Sequence, residues 1–346
     1  KVTVAGDTAV DAPTERATSS YTVDRSMGPV LSFNTYNDIF HFLGEPTYGN
    51  IEGEQGDWEF VITKLTEDSI FVKGKKWENE MVFTRMADGV DWTSYLDSIA
   101  DVQKRLGVNY SVGNSSDASK MVEINSATRR ILSRTADGQM VEQPFYVTST
   151  GIHAVNEPVA LGEDKAQDFL VSKAGVMTAK DNEDLTLNSY APGIDTWVGE
   201  WTLSAMQGSC DMTISKVEDQ ENMLKGTFTA GGYTYNIGLS FNPETGALNL
   251  PSQLIEDPSG RYPALWLMNA DLNQGTLLGQ GGMNVVWHGV SQEGDFEDDG
   301  TLASEGYASD SFVALACTTQ GEPITENGRY VFVIEWYYLS NLTPNK

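Results

Sequence analysis

The sequence predicts a mainly β protein, all-β or α+β, with two β-rich lobes that are each a sandwich or a barrel. Short stretches of alternating apolar and polar residues recur along the chain, and turn-forming residues separate them. Only the stretches 35–43 and 92–106 carry the apolar spacing of a helix. In the second half, strands follow one another without helices, which indicates a sandwich or a barrel rather than a parallel sheet.

The first lobe is organised around Gly28–Met86. The apolar stripe of its short helix consists of Tyr36, Ile39, Phe40 and Leu43. Asn34 or Thr35 is predicted to cap that helix, because a short side-chain oxygen can accept from the free amides of the first turn. From Trp58 to Phe83, three alternating stretches and two polar turns predict a three-stranded meander.

A second helix follows, and then a domain boundary. Asp91 is predicted to cap the second helix, and Gly107 to end it. Strands then return as far as the segment Asn188–Thr196, whose proline and glycine predict a junction. The predicted domains are an N-terminal β-rich lobe at 1–190, which contains both helices, and a C-terminal β lobe at 191–346.

Four runs of the first lobe resemble a known family. They are PVLSFNTYNDIFHF at 29–42, GDWEFVITKL at 56–65, SIFVKGKK at 69–76 and VFTRM at 82–86. Their order and spacing are similar to a lipoprotein family of Bacteroidetes, domain of unknown function 4302, and PFYVTSTGIHAVNEPVAL at 144–161 continues the likeness more weakly. The resemblance implies an exported protein of the outer membrane or cell surface, whose full-length precursor is lipid-anchored. Lys1 is then expected to be a processed start. The family has no assigned activity, so no catalytic residue carries over.

The second lobe opens with WVGEWTL at 197–203, which is similar to lipocalin-like (calycin) domains. The two lobes share a short internal sequence similarity, the internal echo, because Ile62–Gly74 aligns without gaps on Ile214–Gly226. Both segments read as strand, acidic turn, strand. Two related lobes and a chance likeness between hairpins are equally compatible with this echo.

The net charge of −27 narrows the classes of partner. Such a field repels phosphate backbones and anionic membrane surfaces, so the sequence argues against nucleic-acid binding. No apolar run is long enough to cross a bilayer, so contact with a membrane is expected only through the lipid anchor.

Cys210 and Cys317 are too few for a disulfide scaffold. Both share the strand parity of apolar neighbours, so two buried free thiols are favoured. A disulfide between them is the alternative in an exported protein.

No catalytic or cofactor motif stands out. His41, His153 and His288 follow no ligand spacing, and Gly279–Gly282 lacks the lysine and helix of a phosphate loop. Among 49 acidic residues some carboxylate pair is always available, so a hydrolase needs geometry to support it. No cofactor is predicted.

One acidic cluster approximates the start of a calcium loop. Its candidate ligands are Asp295, Glu297 and Asp299. Gly306 occupies the position where the bidentate glutamate should be, and no flanking helix is predicted. A solvated acidic loop is therefore favoured over a cation site.

Trp77 is the best candidate for a ligand contact. It is predicted at an exposed hairpin tip beside Lys75 and Lys76, where an apolar ring finds little core. Folding back on its own hairpin is the alternative. A second set of aromatic residues is favoured as core rather than as a sugar platform: Trp266, Trp287, Trp336, Tyr337 and Tyr338.

These observations lead to an expected function of non-catalytic binding. The ligand would be a glycan or a peptide, and the protein an accessory of an outer-membrane nutrient uptake system, as the family resemblance implies. A hydrolase that uses a carboxylate pair and a structural surface module are the alternatives. A cleft with free converging carboxylates would favour the hydrolase, whereas an aromatic platform would favour binding.

Overall fold

The computed structural model describes residues 1–7, 14–25, 28–46, 51–53 and 55–345. It confirms the predicted fold class, because strands dominate and the described residues form two short α-helices. The chain divides into two compact units. The first comprises Lys1–Leu106, Val147–His153 and Leu170–Ser172, and the second comprises Gly107–Tyr146, Ala154–Phe169 and Lys173–Lys346.

The first unit contains an open antiparallel sheet and both helices. Its elements are β1 (Val2–Val4), β2 (Ala17–Ser19), β3 (Thr22–Asp24), β4 (Val30–Ser32), α1 (Asp38–His41), β5 (Glu59–Leu65), β6 (Ser69–Gly74), β7 (Glu80–Thr84) and α2 (Trp92–Arg105). Strands β3 to β7 pair in chain order, and β1 pairs with β2. Phe33, Phe60 and Val72 form the buried centre of the sheet, and Phe40 of α1 packs against them. The predicted meander is confirmed as β5–β7.

The first helix is shorter than its apolar stripe predicts. Asn37 caps α1 by accepting from the amide of Phe40 at 3.0 Å, so the prediction of Asn34 or Thr35 as the cap is wrong. Of the predicted stripe, Tyr36 and Leu43 are exposed and Ile39 is buried. A 3-10 turn at Phe42–Gly44 ends the helix, because Pro46 leaves no room for continuation.

The second helix follows its prediction closely. The Asp91 carboxylate caps α2 by accepting from the amide of Ser94 at 3.0 Å. Hydrogen bonds from the Ser94 hydroxyl and amide hold the pKa of Asp91 below its usual range. Leu96, Ile99 and Val102 are buried on one face, as the helical spacing of apolar residues in 92–106 predicts.

A closed barrel of eight strands follows α2. The strands of this segment are β8 (Asn109–Val112), β9 (Met121–Asn125), β10 (Arg130–Arg134), β11 (Met140–Val147), β12 (Gly151–Ala154), β13 (Val159–Leu161), β14 (Asp164–Ala166), β15 (Asp168–Val171), β16 (Met177–Ala179) and β17 (Asn182–Ser189). Neighbours in the barrel follow chain order, with β13–β14 as a separate hairpin. Pairing of β17 with β8 closes the ring, with Leu187 opposite Val112.

The second half forms another closed eight-stranded barrel and a separate sheet. Its strands are β18 (Gly199–Ala205), β19 (Gly208–Lys216), β20 (Met223–Ala230), β21 (Tyr233–Phe241), β22 (Leu248–Pro251), β23 (Gln253–Ile255), β24 (Ala264–Asp271), β25 (Thr276–Leu278), β26 (Gly282–His288), β27 (Glu293–Asp298), β28 (Ser311–Cys317), β29 (Thr325–Glu326), β30 (Arg329–Tyr330), β31 (Phe332–Trp336) and β32 (Asn341–Pro344). The barrel is β18-β19-β20-β21-β22-β26-β27-β32, and β32 returns to pair with β18. Strands β23, β24, β25, β28 and β31 form the separate sheet, and β29 pairs with β30.

Both eight-stranded sheets close on themselves, so the barrel alternative holds over the sandwich. This architecture is consistent with lipocalin-like folds. The WVGEWTL segment begins on a 3-10 helix at Ile194–Trp197 and continues into β18. Trp197 is fully buried, and Trp201 and Trp287 belong to the same core.

Two predicted local features differ in the structure. The acidic cluster predicted as a loop is strand β27, in register with β26. The echo segments do form hairpins, but Ile62–Gly74 lies in the open sheet and Ile214–Gly226 in the second barrel. The echo therefore does not relate the two barrels.

Candidate functional site

A cleft of about 300 Å³ lies in the first unit, beside the start of β5 and the turn that follows β6. Its lining consists of Gly56, Asp57, Trp58, Glu59, Lys75 and Lys76. Lys75 and Lys76 are the two lysines that the sequence nominated. The other four lining residues, Gly56 to Glu59, were not predicted as site residues, although they stand at the start of the predicted strand.

Asp57 fixes one wall of this cleft. Its Oδ1 accepts from the main-chain amide of Lys76 at 2.8 Å, and its Oδ2 accepts from that of Trp77 at 3.0 Å. A Cβ added to Gly74 would lie 2.0 Å from Asp57 Oδ2, so only glycine permits this approach. The β6–β7 turn is therefore held against the start of β5 by a carboxylate.

Glu59 is engaged in the same way. Its Oε1 accepts from the Ser32 hydroxyl at 3.0 Å, and its Oε2 lies 3.1 Å from Lys75 Nζ. Both carboxylates of the cleft therefore already accept hydrogen bonds from the protein at each of their oxygens.

The lysines of the turn differ in their partners. Lys73 Nζ contacts Glu78 Oε2 at 2.8 Å, and this hydrogen bond raises the pKa of Lys73 and lowers that of Glu78. Lys76 Nζ lies 4.4 Å from the centre of the Trp77 ring, in a cation–π contact. Among the described residues, Lys76 is the lysine of the lining that has no carboxylate within ion-pair distance.

Trp58 is the aromatic residue of the lining. Its indole stacks on the His41 imidazole, with ring centres 5.2 Å apart and planes at 23°. A Cβ on Gly44 would lie 2.6 Å from the Trp58 ring, so the indole is wedged against the end of α1. The ring is partly buried and rigidly placed beside the cleft.

Trp77 is less exposed than predicted. Its side chain is half-buried, and it does not belong to the lining residues. Its Nε1 is buried and has no hydrogen-bond acceptor among the described residues. The Trp77 main chain is held by the hydrogen bond from its amide to Asp57, and the Lys76 ammonium covers the Trp77 ring. The ring is therefore not at an open hairpin tip.

Asp295, Glu297 and Asp299 are placed by β27 and the residue after its end. Asp295 Oδ2 lies 3.4 Å from His288 Nε2. Asp299 accepts from the Asn249 side chain at 3.3 Å and from the Thr301 amide at 2.9 Å. The described part of the chain contains no group of three His, Cys, Asp or Glu residues that could hold a metal ion.

Cys210 and Cys317 are both free thiols in the structure. Cys210 is half-buried on β19, and Cys317 is fully buried on β28. Burial raises the pKa of both thiols, and the neighbouring Asp211 carboxylate raises that of Cys210 further.

The aromatic residues of the second half divide between core and surface. Trp287 and Trp336 are buried in the barrel core, as the sequence favours. Trp266 and Tyr337 pack on the other cluster of the separate sheet, and Tyr338 is exposed. A hydrogen bond from the Tyr337 hydroxyl to Glu335 raises the pKa of Tyr337 to about 12.

The fold and the cleft define a two-barrel β protein with an additional N-terminal sheet that carries a small mixed-charge cleft. The family model described as domain of unknown function (DUF4302) matches residues 1–173, half of the chain, and the chain belongs to this family. The matched residues include the whole cleft. No curated protein and no solved structure matches the chain. None of the described helices is long and apolar enough to cross a membrane.

Proposed function

We propose that this protein binds a glycan or peptide ligand without catalysing its conversion, and that the cleft around Trp58 and Lys76 is the binding site. The observation that carries the proposal is that a rigidly placed indole and an ammonium group line the same cleft, and that no carboxylate of the described residues lies within ion-pair distance of this ammonium group. Small-molecule sites combine an apolar surface with a few placed polar groups in this way.

The two groups suit the chemistry of such ligands. An indole offers a flat apolar face to a pyranose ring or to a peptide side chain. The Lys76 ammonium can donate to hydroxyl or carbonyl oxygens, and it has three donors. A ligand that displaced the ammonium from the Trp77 ring would exchange one weak contact for hydrogen bonds.

The carboxylates of the cleft argue against a hydrolase. A glycosidase needs one carboxyl group that donates a proton and another that attacks or activates water. Asp57 and Glu59 are each committed at both oxygens to donors of the protein. Neither carboxylate can contact a substrate without giving up one of these hydrogen bonds.

The cellular setting is part of the same proposal. We place the protein at the cell surface or outer membrane, with a lipid anchor on the full-length precursor, as an accessory of a nutrient uptake system. The likeness to a lipoprotein family of Bacteroidetes supports this setting. The net charge of −27 supports it too, since it disfavours both nucleic acid and direct contact with anionic bilayers.

The test is a glycan and peptide array followed by calorimetry on each ligand found. Trp58→Ala and Lys76→Gln should each weaken binding by about tenfold or more, which corresponds to about 1.4 kcal/mol. Trp92→Ala is the matched control, because Trp92 is an exposed indole of the same unit outside the cleft. Melting curves of each variant verify folding.

The other outcomes are equally informative. Binding that Trp77→Ala weakens and Trp58→Ala leaves unchanged would move the site to Trp77. Turnover of any bound ligand would favour the hydrolase. A failure of the array and calorimetry to detect any ligand would favour the structural module and overturn the proposal.

A further inference from the structure

A turn of the second barrel is held by side chains of the first barrel. The turn is 289–292, between β26 and β27, and the side chains come from β8, β9 and β10, all within the second unit. Asn109 of β8 donates from Nδ2 to the Trp287 carbonyl at 2.6 Å, and its Oδ1 accepts from the Gly289 amide at 2.8 Å. A single side chain therefore pairs with the main chain on both sides of His288.

Two more side chains form hydrogen bonds with the main chain of this turn. Glu123 of β9 pairs directly with Asn109 across the strands, and its Oε1 accepts from the amides of Val290 at 2.5 Å and Ser291 at 2.9 Å. Arg134 of β10 donates from Nε to the Val290 carbonyl at 2.8 Å. Five main-chain groups in and beside the turn are thus bonded to side chains of β8–β10: the carbonyls of Trp287 and Val290 and the amides of Gly289, Val290 and Ser291.

The contact is close as well as polar. A Cβ on Gly289 would lie 2.9 Å from the Met121 sulfur, and Val290 is fully buried. Glu123 and Asn109 are 8% and 7% exposed, so the polar groups of this contact are shielded from solvent. An ionised carboxylate in such a place requires a compensating charge or several donors.

His288 supplies that compensation. Its Nδ1 lies 3.4 Å from Glu123 Oε2, and its Nε2 lies 3.4 Å from Asp295 Oδ2. Nε2 is buried and has no aligned hydrogen bond among the described residues, so its contact with Asp295 is electrostatic. Glu293, opposite His288 in the β26–β27 register, adds a further negative charge. On the β10 side, the charged group is Arg134, which is engaged with the Val290 carbonyl.

We propose that His288 is a pH-sensitive latch that holds the β26–β27 turn against β8–β10 while its imidazole is protonated. An imidazolium between Glu123 and Asp295 neutralises two carboxylates at once. When the proton leaves, those carboxylates and Glu293 face one another without a counter-charge beside the imidazole, and the contact weakens.

The direction of the pH dependence follows from the surroundings of His288. The hydrogen bond to Glu123 raises the pKa of His288, burial opposes this, and the charges of Glu123, Asp295 and Glu293 reinforce the rise. A raised pKa in the folded state means that the stabilisation is complete below the ordinary value of about 6.5. It is then lost as pH rises through the folded-state pKa.

The first test is an NMR titration of the imidazole signals. A His41→Gln, His153→Gln variant leaves His288 as the remaining histidine of the chain. Its signal should titrate above the ordinary pKa of about 6.5, and Glu123→Gln should lower that midpoint. A midpoint at or below the ordinary value would overturn the latch, and so would a midpoint that Glu123→Gln leaves unchanged.

The second test is amide hydrogen exchange, with rates corrected for the intrinsic effect of pH. The protection of the Gly289, Val290 and Ser291 amides should fall by about tenfold or more as pH rises through the His288 midpoint. In His288→Gln that pH dependence should disappear, whereas His153→Gln should retain it. Protection in the wild-type turn that stays constant over the titration would sink the proposal, even if the His288 variant does not fold.

Discussion

The indole Nε1 of Trp201 donates a hydrogen bond to the main-chain carbonyl of Trp197, 2.8 Å away. Trp197 in turn donates from its own Nε1 to the Gly246 carbonyl at 2.9 Å, and its ring packs edge-on against Trp287. The 3-10 helix that carries Trp197 is thereby tied to β18 and to the turn before β22. Three tryptophans therefore fill part of the second barrel's core, with two of their indole donors satisfied.

The first prediction concerns Gly294, which lies beneath this cluster. A Cβ at Gly294 would come within 2.6 Å of Val285 and 2.8 Å of the Trp197 ring. Gly294→Ala should lower the free energy of unfolding by about 1–3 kcal/mol, because a packed core resists even one added methyl group. Urea denaturation measures the change.

Gly193→Ala is the matched control for that substitution. A Cβ at Gly193 meets no atom within 4 Å, and its φ of −76° suits alanine. Its effect should stay within about 0.5 kcal/mol. Equal effects of the two substitutions would show that Trp197 and Val285 are not packed on Gly294 as described.

Strands with an apolar alternation could be predicted from the sequence, and the others could not. The alternation of Trp58, Phe60 and Ile62 marks β5 without ambiguity. Strand β27 has Phe296 as its sole large apolar residue, and its position comes from register with β26. Acidic residues therefore masked a strand that is stabilised by cross-strand pairing with β26.

The closure of each barrel could not be predicted from the sequence pattern either. A sandwich and a barrel share the same strand alternation, and the choice depends on which strands pair last. In this chain β17 returns to β8, and β32 returns to β18. These pairings join residues far apart in sequence, about which local periodicity carries no information.

The candidate site could be predicted only in part, because strand pairing brings its residues together from separate segments of the chain. Lys75 and Lys76 stand out as adjacent cations in an acidic chain. Trp58 reads as the first residue of a strand, and only the pairing of β5 with β6 brings it beside those lysines. Glu123 and His288 have no local motif at all, since strands from two barrels bring them together.

The second prediction concerns the thiols of Cys210 and Cys317. Titration of the denatured chain with a thiol reagent should give two free thiols, and the native chain should react slowly because burial raises the pKa of both. Cys210→Ser and Cys317→Ser should each leave one thiol. A denatured chain without thiols would establish the disulfide, which would stabilise the fold by about 4 kcal/mol in the chain-entropy model.

The last prediction concerns the domain boundary between Asn188 and Thr196. Ala191 and Gly193 are exposed there, whereas Pro192 and Trp197 are buried. Limited proteolysis with a broad-specificity enzyme should cut this segment first, with the cut site read by mass spectrometry. Resistance of the segment, with early cutting elsewhere, would reject a boundary at this point.

The nicked protein gives this prediction a second readout. A cut at Gly193 leaves Asn109, Glu123 and Arg134 on one fragment and the β26–β27 turn on the other. The fragments should co-elute in size-exclusion chromatography below about pH 6, where the His288 imidazole carries its proton. Glu123→Gln removes one carboxylate partner of that imidazole, so the nicked variant should separate more readily than the nicked wild type. Separation that is equally complete for both chains at acidic pH would mean that Glu123 contributes nothing to holding the fragments together.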